Sequence, residues 1–147
     1  PTKFDLNLLD ITSSKILRTT PFDVIKKDLI EIGIPNNELE GFWAAISENI
    51  NSKDEISKLW DLCISGTSPL IDKEDLEFVK TSLNMLPQAP YNKDSWKIWT
   101  NNISDKTGRK GKNLYLPLRK ALTGKSMGPD MGKLLPFLSK IPKDVDL

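Results

Sequence analysis

Apolar residues recur along this chain with a helical period almost from end to end. "TTPFDVIKKDLIEIG" carries Phe22, Ile25, Leu29 and Ile32 at helical spacing, with Thr20 as a candidate cap, Pro21 at the first turn, and Gly33 then Pro35 as stop signals. "NNELEGFWAAISENI" follows with Asn36 or Asn37 as its cap. "SKDEISKLWDLCISG" places Glu55 three residues after Ser52, the spacing of a capping box, and aligns Ile56, Leu59, Trp60 and Cys63 before Gly66. "DKEDLEFVKTSLNML" starts at Asp72 and carries Leu76, Val79, Leu83 and Leu86. Beyond "LPQAPYN", "DSWKIWTNNISDKTG" sets Trp96, Trp99 and Ile103 on one face. A run with Pro117 in its middle then closes on Gly124, and "PDMGKLLPFLSK" is the last helix. No segment alternates apolar and polar residues long enough to read as a strand, and there is no internal repeat. The pattern predicts an all-α bundle of about seven or eight short helices in two subdomains. The two prolines of 86–92 mark the boundary, giving 1–87 and 88–147.

Composition narrows the chemistry. The 147 residues contain one cysteine and no histidine. A single cysteine forms no internal disulfide, which suits a reducing cytoplasm. The lack of histidine removes most zinc sites, the Ser-His-Asp and Cys-His catalysts, and histidine proton shuttles. No paired-carboxylate catalyst, metal cluster or nucleophile–base pair stands out, so catalysis by this chain alone is not expected. No window is apolar enough to span a membrane, and the N-terminus lacks the regions of a secretory signal. The chain begins at Pro1, which suggests a piece of a longer or processed protein.

The near-zero net charge of +1 hides a segregation. Residues 22–78 hold 13 acids against five bases, whereas residues 93–125 hold nine bases against two acids. Basic density of that kind suits a polyanion, because each phosphate contact releases counterions; a solvated helical face is the plainer alternative. Within it, "TGRKGK" puts Arg109, Lys110 and Lys112 around Gly108 and Gly111, which permit close backbone approach. Lys112 falls in the first turn of the next helix, where free N–H groups favour an anion. The spacing is not that of a nucleotide-binding phosphate loop. Arg119 lies two turns after Lys112, ahead of "ALTG". It either complements the helix dipole or stacks on and hydrogen-bonds an unpaired base. Trp43, Trp60, Trp96 and Trp99 sit on apolar stripes and are expected in the core, as is Cys63. Tyr115 and Phe137 could stack on bases but are read as structural.

The stretch "TGRKGKNLYLPLRKALTGKSMGPDMGKLLPFL" (107–138) closely resembles the C-terminal anticodon-binding region of bacterial glutamyl-tRNA synthetases, with its G-R-K-G-K, P-L-R-x-A-L-T-G, G-P and L-L-P sequence. Upstream, "LPQAPYNKDSWKIWT" is similar to that family's L-P and W-x-x-W-T segment, and "KFDLNLLD" to the start of its connecting helices. The resemblance implies two helical subdomains that grip the anticodon arm of a tRNA. It implies a cytoplasmic, monomeric parent enzyme that joins glutamate to tRNA with ATP and magnesium in a catalytic half absent from this chain. No cofactor is expected in this fragment.

By motif, the resemblance makes Arg119 the anticodon-contacting arginine. It sets Gly128, Pro129 and Met131 at the turn where an apolar residue meets anticodon bases, and assigns Arg109, Lys110 and Lys112 to the phosphates. "KSM" after the T-G departs from the family and leaves the contact of Met127 open. Members that accept only glutamate tRNA carry an upstream arginine that helps read the third anticodon letter. "SENINSK" (47–53), the corresponding region, has none, so the parent is expected to charge glutamine tRNA as well. The alternative to this whole reading is a non-catalytic helical protein-interaction module, whose acidic half docks a basic partner.

Overall fold

A computed structural model describes residues 15–141. Every regular element among them is helical, and no strand occurs among the described residues. After a helical segment at 15–19 come α1 (Phe22–Ile32), α2 (Leu39–Ile46), α3 (Lys53–Ser65), α4 (Leu76–Asn84), α5 (Ser95–Thr107), α6 (Lys112–Thr123) and α7 (Met131–Leu134). Short 3₁₀ turns lie at Ser47–Asn49, Lys73–Asp75 and Leu135–Phe137. The all-α expectation, with its helix number, is met.

Contacts divide the chain into Pro1–Asp61 and Leu62–Leu147. The division falls within α3, not at the proline-rich stretch 86–92. Both sides of that stretch belong to the second unit, because α4 packs on α6 and the Trp99 indole of α5 donates to the Ser82 carbonyl of α4 at 2.8 Å.

In the first unit, α1 and α2 are short helices that pack together, burying Ile25, Leu29, Leu39, Phe42 and Ile46. Phe42 meets Trp60 edge-on, with ring centroids 5.1 Å apart. Each such buried side chain stabilises the fold by about 1.5–3 kcal/mol of transfer free energy. Gly33 ends α1 in the left-handed region (φ 104°), its N–H closing on the last turn. The helix starts differ from the sequence expectation. Pro21, not Thr20, is the residue before α1, and the Thr20 hydroxyl donates backwards to Ile16 O at 2.5 Å because it ends the preceding helical segment. Neither asparagine caps α2; the chain turns through Pro35–Glu38 and Glu38 precedes the helix. Glu55 does reach back as a capping box requires, but to the N–H of Asn51 at 2.9 Å.

The second unit is built on α5 and α6. Trp99, Ile103, Leu118, Leu122, Leu134 and Leu135 are sealed from solvent. α7 is shorter than the sequence pattern suggested: after Leu134 the chain tightens into a 3₁₀ turn that carries Pro136. The following strand-like stretch returns to α3, where Ser139 N–H donates to Cys63 O at 2.7 Å. Gly124 shows why glycine stands at the end of α6. Its φ is 72°, and an added Cβ would lie 3.0 Å from Ser68 O.

Candidate nucleic-acid interface

Pro117 organises the basic stretch from inside α6. Proline has no N–H, so the carbonyl four residues earlier, that of Asn113, loses its helical donor. Arg109 supplies one: its Nη1 donates to Asn113 O at 3.2 Å. The same nitrogen pairs with Asp75 Oδ1 at 2.7 Å, and the guanidinium lies 4.0 Å above the Phe78 ring centroid. Two glycines set this geometry. Gly108 ends α5 at φ 78° and Gly111 precedes α6 at φ 60°, so the loop between the two helices is only four residues long. The Ser104 hydroxyl holds the loop by donating to Arg109 O at 2.8 Å. Arg109, expected on a phosphate, is therefore committed to three partners within its own unit. Lys110 is exposed, and so is Lys112 at the first position of α6.

A second base of the stretch is also engaged. Lys120 Nζ pairs with Asp72 at 2.9 Å. Asp72 gives no side-chain cap to the turn that follows it. The acidic 72–75 segment and the basic 109–120 segment are thus partly each other's counterions. Asp72, Glu74 and Asp75 bring carboxylate oxygens within 4.8 Å of one another, but the first and last of these are already paired with Lys120 and Arg109.

Arg119 faces a different environment. It lines an open cleft of about 410 Å³ together with Trp96, Lys112, Tyr115, Leu116, Asp130 and Met131. That volume lies in the range of small-ligand sites. Its Nη1 donates to Pro129 O at 2.9 Å, which fixes the half-buried side chain across the cleft. Burial lowers the guanidinium pKa below the ordinary arginine value, and Asp130 opposes that shift. Arginine stays cationic near neutrality regardless. Gly128 leaves room for this arrangement: an added Cβ would stand 3.2 Å from Arg119 Nη1. Pro129 is buried, and Met131 is only 2% exposed, with its side chain on the cleft wall. Asp130 caps α7 by accepting the Gly132 N–H at 3.0 Å. Met127 is 82% exposed beyond the turn.

The structure thus brings Arg119, Lys112 and Met131 to one cleft, sets Gly128 and Pro129 against the Arg119 guanidinium, leaves Lys110 exposed on the preceding loop, and holds Arg109 in an internal ion pair. Sequence reasoning missed Trp96 and Asp130. Trp96 shares the apolar stripe of Trp99, so its spacing alone pointed inward. Trp99 is fully buried whereas Trp96 is half-buried on the cleft. Tyr115, read as structural, is 45% exposed at the same place. In the first unit an arginine does come to the 47–53 region, from outside it: Arg18 Nε donates to Ile50 O at 2.8 Å and its Nη2 to the Asn51 side chain. No helix among the described residues is long and apolar enough to cross a membrane.

Comparison with known proteins bears on this cleft. A family model described as "Anticodon binding domain" matches residues 47–141, which include the whole of the site. Glutamate–tRNA ligase 2 of Ruegeria sp. (strain TM1040) is 43% identical over 141 residues, covering 96% of this chain and 32% of that protein. Glutamate–tRNA ligase 1 of Ruegeria pomeroyi is 40% identical with the same coverage. Glutamate–tRNA ligase 1 of Roseobacter denitrificans is 42% identical, again over 96% of this chain and 32% of its own length. The chain spans about a third of the length of the curated relatives it matches. With an all-α second unit built around a cationic cleft, and with the family model matching most of its length, the chain belongs to the anticodon binding domain family.

Proposed function

We propose that this chain is the tRNA-binding, anticodon-reading part of a glutamate–tRNA ligase. The observation that carries the reading is the placement of Arg119: a cation fixed by the Pro129 carbonyl in an open, partly apolar cleft that Trp96, Tyr115, Leu116 and Met131 also line. An unpaired base entering there meets a guanidinium for stacking or hydrogen bonding and an apolar surface for its face, which is how single-stranded RNA is commonly read. Lys112, in the same cleft, and Lys110, on the loop before it, attract the sugar–phosphate chain.

The attachment of glutamate, with ATP and magnesium, belongs to the part of such an enzyme outside this chain. The enzyme acts in the cytoplasm as a monomer. Its tRNA is glutamate tRNA, and the absence of arginine from 47–53 extends the choice to glutamine tRNA, since the Arg18 guanidinium is held by Ile50 and Asn51.

Filter binding of glutamate tRNA at two salt concentrations tests the proposal. The expected result is binding that falls steeply with salt and is weakened by Arg119→Ala. A protein-interaction module would retain no salt-sensitive tRNA binding, and that outcome would overturn the reading. Charging of both tRNAs by the full-length enzyme tests the wider specificity; failure with glutamine tRNA excludes it.

A further inference from the structure

Four tryptophans distribute themselves unequally. Trp43 and Trp99 direct their indole N–H groups onto the carbonyls of Thr20 and Ser82, at 3.2 and 2.8 Å, as buried indoles ordinarily do. Trp96 makes no such bond among the described residues, and its ring borders the cleft. Its orientation is nonetheless fixed. It packs on Trp99 in a T-shaped arrangement, with centroids 5.5 Å apart and planes at 68°, and Cδ1 lies near Gly132, 3.9 Å from where a Cβ would stand. Tyr115, one turn into α6, lies with its centroid 6.4 Å from Trp96 and its plane tilted by 33°. Nearly half of Tyr115 is exposed, and its hydroxyl has no protein partner among the described residues. Tyr115 is exposed and Trp96 partly so, and both line a cleft that also holds Lys112 and Arg119.

We propose that Trp96 and Tyr115 form an aromatic step beside Arg119 on which a second unpaired nucleobase stacks, whatever its identity. The proposal rests on reading the cleft as an RNA site. It assigns a division of labour within it: the arginine discriminates by hydrogen bonding, while the ring pair holds the neighbouring base by its face. Faces are common to all bases, so the step contributes affinity without sequence preference. The ring centroids are too close for a base to slide between them, so the base rests on their exposed faces.

An RNA hairpin carrying the glutamate anticodon loop, with 2-aminopurine substituted at each loop position in turn, provides the test. Stacking on an aromatic ring quenches that fluorophore. Wild-type chain is expected to quench at one loop position that Arg119→Ala leaves quenched. Tyr115→Leu and Trp96→Leu should abolish that quench and weaken binding about 5- to 150-fold, equally for every base placed there. Tyr115→Phe and Trp96→Phe should retain the quench, because the ring and not its polar group acts. Tyr115 is exposed enough that its replacement does not open the core, so the Tyr115 pair decides the matter even if Trp96→Leu fails to fold. Quenching and affinity unchanged in Tyr115→Leu would overturn the step while leaving the Arg119 assignment intact. A wild-type chain that does not bind the hairpin would overturn both.

Discussion

Arg109 and Arg119 stand ten residues apart on either side of the same helix start, and linear reading assigned both to RNA. The fold treats them in opposite ways. Arg109 has an acid, an aromatic ring and a carbonyl orphaned by Pro117 around it, so its charge is neutralised within its own unit. Arg119 has one carbonyl partner and an open cleft, and the carboxylate of Asp130 near it also serves to cap α7. The difference teaches that the partner set, more than the local density of positive charge, decides which cation remains available. A guanidinium has five donors in a planar fork, so it can staple several chain segments at once or keep most of its donors for a ligand.

The contrast can be broken from the Arg119 side first. Arg119→Ala is expected to cost about 1–3 kcal/mol of tRNA binding and to blur anticodon preference, read by titration against tRNAs with altered anticodons. Unchanged affinity and preference would remove Arg119 from the site.

Arg109→Ala should act on stability. Losing a charge-assisted contact and a cation–π contact at a partly buried position is expected to lower unfolding stability by about 1.5 kcal/mol, seen as a reduced urea midpoint. The salt slope of tRNA binding should stay as in the wild type. A slope reduced by about one would instead return Arg109 to the phosphates.

Gly128→Ala sharpens the comparison more gently. The new methyl group displaces Arg119 Nη1 by a few tenths of an ångström, so binding is expected to weaken by about 1 kcal/mol, and the melting temperature falls as well because φ 156° strains an L side chain. The smallest effect belongs to Lys110→Ala. This exposed residue should contribute about 0.5 kcal/mol, spread evenly over all tRNA sequences, with a salt slope lower by about one.

Much of the architecture was legible beforehand. Amphipathic spacing located α1, α3, α5 and α6, because burying one face of each helix leaves a periodic trace in the chain. Helix starts were less legible. Thr20, Asn36 and Asn37 have the right chemistry for caps, yet the Thr20 hydroxyl turns back to Ile16 O and α2 begins only at Leu39, past both asparagines. Asp72 likewise turns to Lys120, 48 residues away, which no local signal could announce. In the site, Arg119 and the 128–131 turn were visible as motif residues. Trp96 was not, since one apolar stripe carried both it and Trp99, and only the packing of α7 against α5 decides which ring is covered.

The sequence by itself determined that this protein is helical, that it has no histidine-based chemistry, and that its positive charge gathers late in the chain. Those properties follow from residue identity and short-range periodicity. Tertiary structure alone decided which cations are neutralised and which aromatics face solvent. Charge pairing and burial depend on distances between residues far apart in the chain, and folding sets those distances.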